Sequence, residues 1–256
     1  MATAKKLIVG NWKMKPATFK EARQILSKIE KGFAARRTVS VVLCPPQPFL
    51  GLLKKEARSR AIGWGGQDCF FSDAASQTGE SSPTMLASLG ARWVILGHSE
   101  RRTRGEASGE VAKKVKAALS AGLTPIVCFG EAERDRAGAY VTFLQAQLAD
   151  SLAGLTKDEL GKVVIAYEPL WAIGKSAAES TVTPTQVHEM VIFVRKFLAK
   201  KVGRAAAEQV PVLYGGSVEP GNAEPLLYDG HASGLLVGHA SLVPAEFLAI
   251  VEIAKR

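Results

Sequence analysis

A single carboxylate, Glu168, stands where an apolar run of the chain meets a proline. The run covers residues 163–167, and because Pro169 cannot continue a strand ladder, the pattern predicts a short buried strand that ends at the acid. Bulky apolar residues, Trp171 and Ile173 among them, follow in what should be a polar loop, which is typical of a lid that closes over a site. Since a carboxylate that loses its water becomes a stronger base, Glu168 is the first candidate for proton transfer.

Several other predicted strands also run into polar residues or glycine-rich turns. In chain order these positions are Asn11 and Lys13, His98 and Glu100, Ser217, and Gly238 with His239. Together with Glu168 they supply a cation, an imidazole, a base and turns rich in backbone N–H groups. These are the groups needed to move a proton next to a carbonyl on an anionic substrate.

Short apolar runs and amphipathic stretches alternate along the chain and must position these residues. The predicted strands cover residues 7–11, 40–44, 62–67, 93–97, 124–129, 163–167, 211–214 and 234–237. The predicted helices cover residues 16–31, 47–58, 82–89, 106–121, 139–152, 184–201, 220–228 and 244–254.

Eight strand–helix pairs in 256 residues predict an α/β protein, a single-domain (β/α)8 barrel that spans residues 1–256. The strands are almost continuously apolar, as expected when both faces are covered, and no linker or shift in composition marks a second domain. The alternative is a doubly wound open sheet, but no G-x-G-x-x-G follows the first strand. In a barrel, catalytic groups are expected at the carboxyl ends of the strands, where the polar residues above stand.

The charge and apolar content of the chain indicate which kinds of partner it binds. The formal charge of +9 favours anions, yet the Lys and Arg residues are scattered and not interleaved with aromatics, which favours a small phosphorylated or carboxylated substrate over nucleic acid. No apolar run approaches the roughly 20 residues of a membrane span, and the apolar stretch near the N-terminus is too short for a signal peptide. We therefore expect a cytoplasmic protein with no membrane partner. The three cysteines are far apart, which predicts buried thiols and neither disulfides nor a zinc site.

Four segments resemble the signatures of the triosephosphate isomerase family, in the expected order and spacing. They are V-G-N-W-K-M (9–14), G-H-S-E-R-R (97–102), A-Y-E-P-L-W-A-I-G (166–174) and Y-G-G-S-V (214–218). The resemblance covers essentially the whole chain. It implies a TIM barrel that interconverts dihydroxyacetone phosphate and D-glyceraldehyde 3-phosphate through an enediolate, without metal or cofactor, in glycolysis and gluconeogenesis.

The resemblance also implies a role for each residue of the site. Glu168 would move the proton between adjacent carbons, and His98 would stay neutral and hydrogen-bond the substrate oxygens, as is established for this family. A short helix that starts near Ser99 would point its N–H groups at the His98 ring and disfavour the imidazolium. Lys13 would hold the negative charge of the substrate, Asn11 would orient Lys13 and a substrate oxygen, and Glu100 would neutralise and position Lys13.

The resemblance further implies that backbone amides grip the phosphate and that apolar side chains exclude water. The amides would come from Gly174, Ser217, Gly238 and His239. The lid and its hydrophobic clamp would comprise Pro169, Trp171, Ile173 and Leu236.

Three positions depart from the family pattern. Residues 175–182 are slightly longer than usual and lack the second lid glycine, and Asp68 stands where Asn is usual. His239 replaces a second glycine. Its amide can still donate to the phosphate, although a positive φ would cost energy at a non-glycine residue; alternatively, its imidazole lies near the phosphate. Close to Asp68, roughly residues 70–80 would reach into a neighbouring subunit and place Thr78 near its site, which predicts a homodimer.

Three alternatives remain open at this stage. A same-fold isomerase could act on another small phosphosugar, such as a tetrulose phosphate. A metal-dependent barrel hydrolase needs clustered ligands such as His-x-His, a spacing that the four histidines do not show. A non-catalytic binding protein would give no reason for Asn11, Lys13, His98 and Glu168 to occur together.

Overall fold

Eight parallel strands close into a barrel in chain order, β1 to β8. The computed structural model describes residues 5–73, 76–135, 137–173 and 182–255. Strand β1 pairs with both β2 and β8, which closes the sheet, so the predicted barrel is confirmed and the open-sheet alternative is wrong. The strands are β1 Lys6–Asn11, β2 Val39–Cys44, β3 Ile62–Gly66, β4 Trp93–Leu96, β5 Thr124–Phe129, β6 Val164–Tyr167, β7 Val212–Tyr214 and β8 Gly234–Val237.

Helices connect the strands on the outside of the barrel. They are α1 Phe19–Gly32, α2 Gln47–Glu56, α3 Pro83–Ser88, α4 Ser99–Arg102, α5 Ser108–Ser120, α6 Ala139–Ser151, α7 Lys157–Leu160, α8 Pro184–Val202, α9 Arg204–Gln209, α10 Pro220–Tyr228 and α11 Pro244–Ile253. Two 3₁₀ helices cover Leu170–Ala172 and His239–Leu242. None of the helices in the described ranges has the combination of length and apolar character needed to cross a lipid bilayer.

Local capping sets the helix bounds more tightly than the apolar periodicity predicts. Helix α1 begins at Phe19, three residues after the predicted start, because Thr18 caps it in a capping box with Glu21. Thr183 caps α8 in the same way and directly precedes Pro184, the first residue of the helix. Helices α7 and α9 were not predicted, since four and six residues are too few to show a helical period.

Alternation along the strands separates two cores. One set of strand side chains fills the barrel and the other packs against the helices, which explains the almost continuous apolar runs. The inward set comprises Leu7, Val9, Val42, Cys44, Ile95, Ile126, Cys128, Val164, Ala166, Leu213 and Leu236. All three cysteines are buried free thiols, as predicted.

The inward rows also decide which residues reach the mouth of the barrel. Because side chains repeat every second residue, the row through Val164 and Ala166 continues to Glu168, and the row through Val9 continues to Asn11. The rows of β7 and β8 continue instead to Gly215 and Gly238, which have no side chain. Because β7 and β8 lie between β6 and β1 in the barrel, the two glycine ends form a gap at the mouth that is flanked by Glu168 and Asn11.

A buried ionic cluster lies outside the barrel, between β3 and α5. Lys114 is 1% exposed, and its Nζ lies 3.0 Å from Asp68 Oδ2 and 3.2 Å from Glu110 Oε1, with Glu106 also in contact. Arg101 Nη2 lies 2.9 Å from the same Asp68 oxygen. Burial raises the pKa of Asp68 to about 6, although Lys114 and Arg101 act to lower it. Two cations thus face three carboxylates. Among these, burial favours the protonated form of Asp68.

We predict that Asp68→Asn raises the free energy of unfolding by about 1 to 3 kcal/mol near pH 8 and changes it little near pH 4. The folded-state pKa lies above the unfolded value, so the wild-type carboxyl loses stability as the pH rises through about 4 to 6. Asparagine keeps the shape and removes the charge. Urea unfolding of both proteins at equal concentration checks this, and a variant that is less stable at pH 8 would contradict it.

Candidate active site

The end of β1 holds Lys13 in a strained but well-supported conformation. Lys13 has a φ of 53°, a region that non-glycine residues rarely adopt. Its N–H donates to Asn11 Oδ1 at 3.0 Å, and its carbonyl accepts from Gln67 Nε2 at 2.8 Å. Gln67 also donates to the Cys44 carbonyl at 2.8 Å, which ties the turn to β2. These bonds offset the strain and fix the direction of the Lys13 side chain.

Glu100 pairs with the Lys13 side chain across the mouth of the barrel. The Lys13 Nζ lies 2.7 Å from Glu100 Oε1. Burial acts to raise the pKa of Glu100, but the hydrogen bond and charge of Lys13 outweigh it, so the pKa lies below its ordinary value. Glu100 therefore stays ionised beside Lys13, and half of its side chain remains exposed.

His98 occupies the N-cap of α4, directly after β4. Strand alternation alone would place His98 in the outward row of Val94 and Leu96, but Gly97 has a φ of 66° and turns the chain. The His98 Nδ1 accepts a hydrogen bond from the Glu100 N–H at 3.2 Å. A nitrogen that accepts carries no proton, so the geometry assigns the ring proton to Nε2.

Glu168 lies against this ring at the end of β6. The carboxylate is 1% exposed, and its Oε1 lies 3.2 Å from His98 Nε2. Its Oε2 accepts from the Ser99 N–H at 2.9 Å, and its own N–H donates to the Phe129 carbonyl at 2.8 Å. The predicted base and the predicted imidazole therefore meet, although 70 residues separate them in the chain.

A cavity of about 740 Å³ opens above these side chains. Among the predicted residues it is lined by Asn11, Lys13, His98, Glu168, Ile173, Ser217, Leu236, Gly238 and His239. Gly215 and Gly216 of the turn after β7 also line it. A methyl group on Gly215 would lie 3.0 Å from Glu168 Cγ. Glycine at this position therefore makes room for the Glu168 side chain.

The first turn of the predicted lid is anchored to a buried carboxylate. Glu131 Oε1 accepts from the Tyr167 hydroxyl at 2.7 Å and from Trp171 Nε1 at 3.0 Å. Arg134 completes the cluster at 2.8 Å from the same oxygen. On the other side, Ser217 Oγ donates to the Ala172 carbonyl at 2.8 Å, which joins the lid to the turn after β7.

The remaining predicted residues fall into different places. Gly174 and most of the unusual segment 175–182 lie outside the described residues. Pro169 and Trp171 lie between Glu168 and Ile173 in the chain, both of which line the cavity, but they do not line it themselves. Thr78 is exposed and also does not line the cavity of its own chain.

The backbone at His239 avoids the strain that a positive φ would bring to a non-glycine residue. In the described ranges the non-glycine residues with positive φ are Lys13 and His231. His239 instead begins a 3₁₀ helix, a conformation open to any L-residue, and its side chain is exposed. The backbone therefore accepts histidine at this position without strain.

Sequence reasoning missed the polar residues that support the site. The sequence analysis places Gln67 at the end of a predicted strand and Arg102 at the end of G-H-S-E-R-R, and it gives neither of them, nor Glu131, a role in the site. Arg102 donates to the Gly97 carbonyl at 2.7 Å and to the Cys128 carbonyl at 3.0 Å, which ties the ends of β4 and β5 together. A polar side chain shortly after a buried strand is a sign that it supports the site. The sequence does not show which group such a side chain contacts.

Comparison with known proteins agrees with this geometry. A family model described as triosephosphate isomerase matches residues 6–254. The chain belongs to the triosephosphate isomerase family. A triosephosphate isomerase of Roseiflexus sp. (strain RS-1) is 40% identical over 247 residues, which cover 96% of each chain. That of Clostridium novyi (strain NT) is 40% identical over 253 residues, or 98% of this chain and 99% of the relative.

A third relative, the triosephosphate isomerase of Roseiflexus castenholzii (strain DSM 13941 / HLO8), is 40% identical over 247 residues and 96% of each chain. The matches run through the whole barrel, so the predicted family and the predicted isomerase class are confirmed.

We predict that Gly215→Ala lowers isomerase turnover about tenfold to hundredfold, because the new methyl group displaces the Glu168 side chain by a fraction of an ångström. Gly221→Ala is the matched control, since Gly221 lines the same cavity but a methyl group there meets nothing within 4 Å. Steady-state kinetics on both variants, with circular dichroism to check folding, makes the comparison. Equal turnover in the two variants would contradict the tight fit at Gly215.

Proposed function

We propose that this cavity interconverts dihydroxyacetone phosphate and D-glyceraldehyde 3-phosphate, with Glu168, His98, Lys13, Asn11 and Glu100 as the catalytic set. The observation that carries the proposal is the 3.2 Å approach of Glu168 Oε1 to His98 Nε2 inside the cavity. The names of the relatives support the substrate. The reaction needs a base and a donor beside two adjacent carbons, and these two side chains supply them.

Glu168 is the base in this proposal. Its carboxylate takes the proton from the carbon beside the carbonyl, and the electron pair moves onto the carbonyl oxygen to give an enediolate. The same carboxyl returns the proton to the neighbouring carbon, and a proton passes from one substrate oxygen to the other by way of the His98 Nε2 that faces them. The oxidised and reduced carbons therefore exchange, and no cofactor is consumed. Burial at 1% exposure keeps water from competing for this proton.

His98 supplies the hydrogen bond to the substrate oxygens. Its Nε2–H faces the cavity because Nδ1 is held as an acceptor by the Glu100 N–H. In the structure, Glu168 Oε1 accepts a hydrogen bond from His98 Nε2–H, and Glu168 Oε2 accepts one from the Ser99 N–H. Substrate oxygens take over the Nε2–H on binding, and the carboxylate then moves toward the carbon. The neutral imidazole polarises the carbonyl, as is established for this family, and its Nε2 is placed to pass a proton between the two substrate oxygens.

Lys13 provides the positive charge for the negative substrate and for the enediolate oxygen. Glu100 holds its ammonium group at 2.7 Å, and Asn11 fixes its backbone at 3.0 Å, so little ordering remains to be done on binding. The amides of Gly174, Ser217, Gly238 and His239 donate to the phosphate. Pro169, Trp171, Ile173 and Leu236 form the lid and clamp, of which Ile173 and Leu236 line the cavity.

A homodimer in the cytoplasm is part of the same proposal. The Met14 side chain is 92% exposed although it directly follows Lys13, and Met85 is 59% exposed. Apolar side chains so placed favour a protein partner over water. Thr78 stands in an exposed turn, as a residue that reaches into a second subunit should.

A coupled assay on D-glyceraldehyde 3-phosphate tests the function. Purified protein should convert it with and without chelator, and far faster than a tetrulose phosphate at equal concentration. Preference for the tetrulose phosphate, or activity that chelator abolishes, would contradict the proposal.

We predict that Glu168→Asp lowers kcat at least about hundredfold while the affinity for a phosphate-bearing inhibitor stays within about twofold. The shorter side chain withdraws the base by roughly 1 Å, and such misplacement costs about that factor. Stopped-flow or steady-state kinetics gives kcat, and calorimetry gives the affinity. Unchanged kcat would exclude Glu168 as the base.

We predict that dilution below the dimer dissociation constant abolishes activity, because Thr78 of a second subunit completes the site. Activity and light scattering measured over the same concentration series should fall together. A monomer that keeps full activity would refute the coupling between assembly and catalysis.

A further inference from the structure

The charges that line the cavity are poorly matched to a phosphorylated substrate. Among the described lining residues, Lys13 is the fixed cation, and the carboxylates are Glu168, Glu219 and Glu246. Lys13 is itself paired with Glu100. A phosphate dianion that enters this cavity therefore meets more negative than positive charge, so an additional positive group would improve its binding.

His239 is placed to supply that group. It lines the cavity as the first residue of the 3₁₀ helix His239–Leu242, directly after Gly238. A methyl group on Gly238 would lie 3.7 Å from Lys13 Cε, so this turn lies against the Lys13 side chain. Positive charge on His239 would thus stand on the same side of the cavity as the existing cation.

The turn that carries His239 is firmly held. The Ser241 N–H donates to the Gly238 carbonyl at 3.0 Å, and Ser241 Oγ donates to the same carbonyl at 2.6 Å. Ala240 and Ser241 are buried, whereas His239 is exposed. In the described ranges the imidazole has no hydrogen-bond or ion-pair partner, so both of its nitrogens are available to a ligand.

The charged groups around His239 come from three elements. Lys13 follows β1, Glu246 lies in the first turn of α11, and Glu219 caps α10 on the same cavity. Glu246 and Glu219 bring negative charge to the cavity, and Lys13 brings positive charge. Deeper in the cavity, Glu168 faces His98, whose Nδ1 is already engaged as an acceptor. The imidazole of His239, by contrast, is exposed to the cavity with both nitrogens available, and a histidine can carry a positive charge.

We propose that His239 is a pH-dependent second cation for the substrate's phosphate group, in addition to its backbone amide. The protonated imidazole adds one positive charge on the Lys13 side of the cavity, so a dianion binds more tightly at low pH than at high pH. By linkage, binding of the dianion is accompanied by uptake of protons by the protein. This inference rests on the proposed function only in placing the phosphate at this end of the cavity.

Inorganic sulfate is the probe that isolates this effect, because it stays doubly charged between about pH 5.5 and about pH 8.5, whereas a phosphate ester titrates near pH 6. Its dissociation constant is measured by calorimetry at constant ionic strength on the full chain. The proteins compared are the wild type, His239→Gly, which restores the residue usual in the family, and His239→Gln. His188→Gln and His231→Asn are matched controls, since these two histidines pack against each other at a tilt, outside the cavity.

The wild type and both controls should bind sulfate roughly threefold to fivefold more tightly near pH 5.5 than near pH 8.5, as expected for a partly exposed ion pair. The two His239 variants should lose that pH dependence, and with it the proton uptake seen in buffers of different ionisation enthalpy. The same pH dependence in His239→Gln as in the wild type overturns the proposal.

The coupled isomerase assay on the same samples separates this result from the proposed function. An active isomerase whose sulfate affinity does not change with pH overturns the role of His239 alone. A wild type that neither binds sulfate nor isomerises triose phosphate overturns the proposed function, and the role of His239 with it.

Discussion

The approach of Glu168 to His98 is the constraint on which the rest of the site depends. The two side chains belong to β6 and β4, which are not neighbours, because β5 lies between them. Strand β5 holds both: the Phe129 carbonyl accepts from the Glu168 N–H, and the Cys128 carbonyl accepts from Arg102, which also holds the Gly97 carbonyl. A displacement at the end of β5 would therefore move the base and the imidazole relative to each other. Barrel closure matters for chemistry because it fixes this distance.

The shape of the cavity follows from the two-residue period of the strands. The inward rows of β1 and β6 end in Asn11 and Glu168, and the rows of β8 and β7, which lie between them, end in Gly238 and Gly215. Asn11 and Glu168 stand over a packed apolar layer, and Gly215 leaves room for the Glu168 side chain. The same backbone pattern thus fixes the two polar side chains and keeps the mouth between them open, next to His239.

Much of this arrangement could be predicted from the sequence. Strands β5 and β8 match their predicted bounds, because continuous apolar runs with clear ends specify both. The predicted meeting of Glu168, His98, Lys13 and Asn11 followed from strand ends alone, since parallel strands of a barrel share one carboxyl edge.

The rest depends on contacts between distant parts of the chain. Nothing local indicates that Gln67 would hold the Lys13 carbonyl or that Glu131 would anchor Trp171, because each partner is dozens of residues away. The sequence alone could not show whether His239 needs a positive φ, because that depends on the 3₁₀ turn that begins there. The resting position of Glu168 on the Ser99 N–H likewise depends on where α4 begins.

The protonation of His98 links these observations to mechanism, because an acceptor at Nδ1 leaves Nε2–H as the donor to substrate. Nitrogen-15 NMR of the imidazole rings, with His98 assigned by its substitution, measures this most directly. The account predicts one protonated nitrogen, Nε2, at neutral pH in both the free and the inhibitor-bound protein. A ring with both nitrogens protonated, or with the proton on Nδ1, would contradict it.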